Sequence, residues 1–239
     1  EALNEGYRAI VAEIAPMRAK LEDSIASMET LQSSLSDNDD KEAASQVVTA
    51  ARSRLNMLDA GVNIIEESLM ATEAFLKARS GWNAVINADA AIREATALAE
   101  EMSKENILAS QAKGNEALAF LEEAQQDFSQ AEAAYPGLDL AAFEAYVVKR
   151  MESQRAALAA DDAYLSRNKE ELEAQNSRYN ALEEEAAALA QELGEDDPEQ
   201  IVALRFYKEI EADQGAYEAE RLKAGNADAF LREYLGTAS

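Results

Sequence analysis

The run Gln175-Asn176-Ser177-Arg178-Tyr179-Asn180-Ala181 breaks an otherwise plain alanine, leucine and glutamate pattern with amides and a phenol. At helical spacing, Gln175, Tyr179 and Leu182 share one face, and Asn176 and Asn180 lie one turn apart on the next. Asparagine is a poor helix former because its side chain competes for backbone hydrogen bonds. A pair of them one turn apart costs stability unless something uses the amides. A related tripeptide, Trp82-Asn83-Ala84, occurs earlier in the chain. The chemistry these types offer is recognition. Trp82 and Tyr179 could stack on a small ligand, while Asn83, Gln175, Asn176 and Asn180 hydrogen-bond it. The same residues also suit a buried polar joint, in which amides fix the register between helices, or plain exposure. All three readings stay open at this point.

Other chemistry is thinly represented. The chain has no histidine and no cysteine. That removes disulfides, thiolate chemistry and the usual zinc, haem and iron–sulfur ligands. It also removes the commonest general base and any triad built on it. A carboxylate di-iron centre needs Glu-x-x-His, which this sequence cannot supply. Asp37-Asn38-Asp39-Asp40 starts like a calcium loop, but Lys41, Glu42 and Val48 occupy the fifth, sixth and twelfth positions. Those positions require an oxygen ligand, glycine and glutamate, so the segment reads as a turn and helix cap. Neither of the common glycine-rich phosphate loops is present. Carboxylates abound, but no pair is marked out as a glycosidase dyad. We therefore expect no enzyme, no catalytic residue, no metal and no cofactor.

The elements that must position these residues are helices. Alanine, leucine, glutamate and glutamine dominate, and all favour helix. With nine glycines and three prolines, turns are few. Apolar positions from Leu3 through Ile10, Met17, Ile25 and Leu31 to Leu35 advance by threes and fours, as does Val48-Ala51-Leu55-Leu58-Val62-Ile65-Leu69-Thr72-Leu76. Such stripes mark helices packed along their length. The expected helices are about 3–36, 40–112, 115–135, 139–193 and 198–235. Pro16 predicts a kink or late start in the first. Asp39 with Glu42 predicts the cap of the second, and Ser80-Gly81 a bend near 80–83. Lys113-Gly114-Asn115 predicts the next break, and Tyr135-Pro136-Gly137 the sharpest one. Leu138, Asp139 and Phe143 fit a hydrophobic staple around a capping aspartate. The helix over 139–193 would be roughly 80 Å long. Gly194 ends it, and Asp197-Pro198 with Gln200 starts the last. The fold class is all-α, an elongated antiparallel helical bundle of about five helices. It divides into an N-terminal region over 1–135 and a C-terminal region over 138–239, or forms one continuous domain.

The formal net charge is −25 and the isoelectric point about 4.3. Nucleic-acid backbones and anionic membrane surfaces repel such a chain, so no nucleic-acid partner is expected. No apolar run is long enough for a transmembrane helix. Arg52, Arg54 and Lys149-Arg150 are islands of positive charge, and most simply pair with nearby glutamates on the surface, where each pair adds little. The first residue is Glu1 rather than methionine, which fits a processed or trimmed chain.

Val47-Val48 recurs as Val147-Val148, and Trp82-Asn83-Ala84 as Tyr179-Asn180-Ala181, a hint of a duplicated helical hairpin. The run from Tyr146-Val147-Val148-Lys149-Arg150 through Tyr179-Asn180-Ala181-Leu182-Glu183 to Leu189-Ala190-Gln191-Glu192-Leu193 resembles uncharacterised secreted or lipid-anchored helical-bundle proteins of Gram-positive bacteria, over roughly residues 139–195. What the resemblance implies is a location outside the membrane, and no activity. The leading expectation is a non-catalytic extracellular or cell-envelope protein acting as a spacer or protein-interaction surface. Its partner would be a protein or a cell-wall component. The alternatives are a small-ligand-binding bundle with a groove near Trp82 and Tyr179, and a cytoplasmic self-associating coiled-coil scaffold.

Overall fold

The computed structural model describes residues 2–194 and 197–236. These fold into helices α1 (Ala2–Ser34), α2 (Asn38–Glu100), α3 (Lys104–Ala134), α4 (Ala141–Leu165), α5 (Lys169–Leu193) and α6 (Pro198–Tyr234). No strand occurs among the described residues. The protein is an all-α helical bundle, as its composition and periodicity indicate.

Several helix ends fall away from their expected positions, each for a physical reason. α1 runs through Pro16 without a break. Pro16 is exposed, where water can satisfy the carbonyl that proline leaves without a donor. α2 is capped by Asp37, not Asp39; its Oδ1 accepts the N–H groups of Asp39 at 2.8 Å and Asp40 at 3.2 Å. The helix then continues for 63 residues, with no end at Ser80-Gly81. Gly81 is there for close approach. A Cβ at that position would lie 2.8 Å from the Phe128 ring and 3.2 Å from the Ala124 carbonyl. Gly114 likewise sits inside α3, where a Cβ would meet the Gln154 amide at 2.5 Å and Leu158 at 2.8 Å.

The real breaks lie elsewhere. α2 ends at Glu100, and Met102 takes a φ of +47°. Ser103 then caps α3 by accepting the Asn106 N–H at 3.1 Å. The expected helix over 139–193 is two helices. Arg167 takes a φ of +58° between them, and the Asn168 side chain accepts the Glu171 N–H at 3.2 Å to start α5. Asparagine at the cap with glutamate at the third helical position is a start signal, here set inside an unbroken run of helix formers.

Other ends match their signals. Gly194 terminates α5 with a φ of +63°, and Asp197 caps α6 by accepting the Gln200 N–H at 2.7 Å. Leu138 and Phe143 are both buried. Asp139 accepts the Ala141 N–H at 3.1 Å, although Leu140 is the residue that precedes the helix.

The chain forms two compact units, one of residues 1–69 and 206–239, the other of residues 70–205. The expected boundary at Tyr135-Pro136-Gly137 therefore falls inside the second unit. In the first unit, Ile25, Val48, Ala50, Ala60, Ile210 and Ala227 are buried. Its surface carries pairs of Arg18 with Asp59 at 2.8 Å and Arg54 with Asp228 at 2.5 Å, and one between Arg52 and Glu29. Those arginines pair with carboxylates as the charge balance suggests.

In the second unit, α4 packs along both α3 and α5. Its core centres on Leu121, Phe128, Tyr135, Leu140 and Phe143, each at most 1% exposed. Trp82 meets the Phe143 ring edge-on at 5.6 Å, and Phe128 meets it at 5.9 Å. The Arg205 guanidinium lies 5.0 Å from the centre of the Tyr135 ring and donates to the Pro136 carbonyl at 2.8 Å. That contact clasps the tight turn where Gly137 takes a φ of +80°.

Candidate ligand cleft

Along α4 the buried positions Val147 and Met151 lead to Gln154 and Asp161. The same stripe that packs the core therefore turns polar over its last two turns. Facing it, Ala95, Thr96, Ala99 and Glu100 end α2, Met102 follows, and Ser110 projects from α3. Asn176, Tyr179 and Asn180 close the third side from α5. Together with Ala157 and Ala160 these residues line a cleft of about 370 Å³, all within the second unit. The alanines matter because their short side chains leave the space open.

The floor of the cleft is polar and buried. Ser110 is 5% exposed, Gln154 3% and Asp161 8%. Ser110 Oγ donates to Asp161 Oδ2 at 2.9 Å. Burial pushes the Asp161 carboxyl above the ordinary carboxylate value, the Ser110 hydrogen bond opposes this, and neighbouring Asp162 adds to it. Burial also raises the Tyr179 phenol, helped by Glu183 and opposed by the neighbouring Thr96 hydroxyl and Arg150. Tyr164 donates its hydroxyl to the Met102 carbonyl, which ties the α2–α3 connection to α4.

One turn deeper lies an ion cluster. Arg150 donates through Nη1 to both Glu183 oxygens at 2.7 Å, and through Nη2 to Asp89 at 2.6 Å. Ser153 donates to the same Glu183 carboxylate. The Arg150 side chain is only 11% exposed. Burial alone would lower its pKa, but Asp89 and Glu183 together raise it. The expectation of a simple surface pair thus fails at Arg150. Its place on the buried face of α4 forces it into the packing between helices, whereas Lys149 reaches outward to Glu152 and Glu185 at 2.8 Å.

Of the residues expected to bind a ligand, Asn176, Tyr179 and Asn180 do line one cleft. Gln175 does not. Its amide turns back to donate to Glu171 at 2.7 Å. Trp82 and Asn83 do not join them either. They sit more than three turns before Thr96 on α2, roughly 20 Å away along the axis. Trp82 packs against Phe143 and Asn83 is exposed. A groove shared by Trp82 and Tyr179 is not formed. Ser110, Gln154 and Asp161, the buried polar lining residues, are among those that sequence reading missed. The signal for two of them was present, because Gln154 and Asp161 continue the four-three spacing of Val147 and Met151.

A wider cavity of about 470 Å³ lies beside the α4–α5 turn, where Lys104, Arg167 and Lys169 contribute exposed cations. Its lining holds no buried polar group to orient a ligand. No group of three or more carboxylates that could hold a metal ion occurs among the described residues. No helix among them is long and apolar enough to cross a membrane. Comparison with protein-family models, curated proteins and solved structures finds no match.

The raised Asp161 carboxyl gives a prediction with a definite sign. Its folded-state value lies above the ordinary 3.8, so the fold favours the protonated form. That contribution is present in acid below the unfolded value and is lost as pH rises through the folded one. Asp161→Asn keeps an acceptor for Ser110 and removes the charge. It should therefore stabilise the protein at pH 7, with the gain shrinking to nothing in acid. Urea unfolding of both proteins at the two pH values checks this. An asparagine variant that is no more stable at pH 7 would contradict it.

Proposed function

We propose that this is a non-catalytic binding protein whose site is the cleft between α2, α3, α4 and α5. The observation that carries this reading is the combination of open volume with a buried polar floor. Ligand sites are concave, with a few fixed polar groups that orient the ligand. Here Ser110, Gln154 and Asp161 form the floor, and Asn176, Tyr179 and Asn180 form a wall. The asparagines on α5 find a use as hydrogen-bonding groups facing an occupant, which offsets their poor fit to a helix. An extracellular or cell-envelope setting belongs to the same proposal. It is supported by the resemblance over residues 139–195.

A second reading, a spacer or protein-interaction surface, draws on α1. Ile10, Met17 and Leu31 stand exposed at multiples of seven residues, a coiled-coil seam spacing. If that seam serves self-association, sedimentation should show a concentration-dependent oligomer.

Thermal melts with sugars, amino acids, cell-wall fragments and amines separate these readings. A ligand at 100 times its Kd should add about 2.7 kcal/mol. The shift should vanish in Asn180→Ala. Asn180 is exposed, so that substitution alone should change stability by no more than about 0.5 kcal/mol. A loss of several kcal/mol on Asn180→Ala, with no ligand shift, would make the α5 amides a packing joint instead.

A further inference from the structure

We infer that the cleft takes a small organic cation, a molecule carrying an ammonium or guanidinium group on a short polar body. This inference rests on the binding reading above and names the ligand class. Three observations lead to it. First, the lining contains Glu100 and Asp161 but no lysine or arginine. Arg150, one turn along α4 from Gln154, is already matched by two carboxylates, Asp89 and Glu183, so that cluster carries a net negative charge of its own. Second, Gln154 is 3% exposed and its side-chain amide makes no hydrogen bond to any described residue. That amide borders the open cleft, where a ligand can meet it. Third, Asp161 uses one oxygen on Ser110 and lies where a cation would relieve its desolvation.

The geometry selects among cations. A divalent metal ion is best held by several carboxylates in one place, and no group of three or more occurs among the described residues. A macromolecular polycation is too large for about 370 Å³, a volume near the small end for ligand sites. An ammonium group fits the pattern better. It would donate to Asp161 and to the Gln154 carbonyl oxygen, and could lie against the Tyr179 ring, which attracts cations through its face. Asn176 and Asn180 remain for hydroxyl or amide groups on the rest of the molecule. The cleft alanines, Ala95, Ala99, Ala157 and Ala160, would cover a short methylene chain.

A matched set of probes tests this on the full chain. Putrescine, 4-aminobutanol and 1,4-butanediol share a length and differ in their number of ammonium groups. Binding is followed by calorimetry and by side-chain amide NMR signals of Gln154, Asn176 and Asn180. Salt near physiological strength, about 0.15 M, suppresses diffuse attraction to the acidic surface. The amines should move those signals and the diol should bind at least about tenfold more weakly. Asp161→Asn should remove the preference for amine over diol, while circular dichroism shows the fold retained. Equal binding of amine and diol, at the same three amides, would overturn the cation class and leave the cleft standing as a binding site. Amine effects that avoid those amides, or that survive Asp161→Asn, would overturn it as well. Silence of the amides towards all three probes would overturn the cation class together with the placement of the site.

Discussion

Arg150→Met is expected to lower the unfolding free energy by about 3 kcal/mol. Breaking a buried ion pair by removing one partner typically costs about 3–5 kcal/mol, because the other charge is left uncompensated. Here two carboxylates, Asp89 and Glu183, would face one another without the guanidinium. Their side chains are 31% and 32% exposed, so water reaches them and the loss sits at the low end of that range. Lys149→Met is the natural control. Its ammonium bridges Glu152 and Glu185 on the outer face and its removal should cost far less. Urea unfolding with unchanged m-values would read both. Equal midpoints for the two variants would show that the Arg150 cluster is no more than another surface pair. Adding Asp89→Asn and Glu183→Gln to Arg150→Met should recover much of the loss, because neutral amides no longer repel.

Phe128→Ala should be the most damaging single change in the core, at about 3–5 kcal/mol. The ring is fully buried, it touches Phe143 at 5.9 Å, and it occupies the space that Gly81 leaves beside α2. That last contact gives a prediction that reverses sign with background. In the parent protein, Gly81→Ala forces a methyl to within 2.8 Å of a ring that has nowhere to go. The better helix propensity of alanine, worth about 1 kcal/mol, is then outweighed by overpacking of about 1–3 kcal/mol. In the Phe128→Ala background the clash is gone. Gly81→Ala should there stabilise, through propensity and partial filling of the cavity. Thermal or urea unfolding of the four proteins in the cycle tests this. A Gly81→Ala effect of the same sign in both backgrounds would mean that the glycine is not a packing device.

The sequence makes the helices easy to read and their ends hard. Long three-four stripes and strong helix formers specify an all-α bundle, and Gly194, Asp197 and Pro136-Gly137 mark ends that the structure keeps. Gly81 and Gly114 looked like breaks because glycine weakens an isolated helix. Their role depends on Phe128 and Gln154, which lie far along the chain and touch them only after folding. Conversely, the turn at Ser166-Arg167-Asn168 contains no glycine or proline. Arg167 holds a left-handed φ that a sequence reader would assign to glycine, and only the Asn168–Glu171 capping pair gives it away. The site shows the same division. Tyr179, Asn176 and Asn180 stood out as polar intruders on their own helix. Trp82 drew attention for the same reason but answers to Phe143. Asp161 and Gln154 carried a legible signal, a polar interruption of a core stripe. It became informative only once α2, α3 and α5 were seen to leave space in front of it.

The single tryptophan of the chain lies in the second unit, edge-on to Phe143. Its emission is therefore an optical reporter for that unit alone, while far-ultraviolet dichroism sums over the helices of both. Melting curves from the two signals would coincide if the units unfold as one cooperative block. If the tryptophan transition arrives at a different temperature, the units melt in sequence, and a ligand held by the cleft should move the fluorescence curve first.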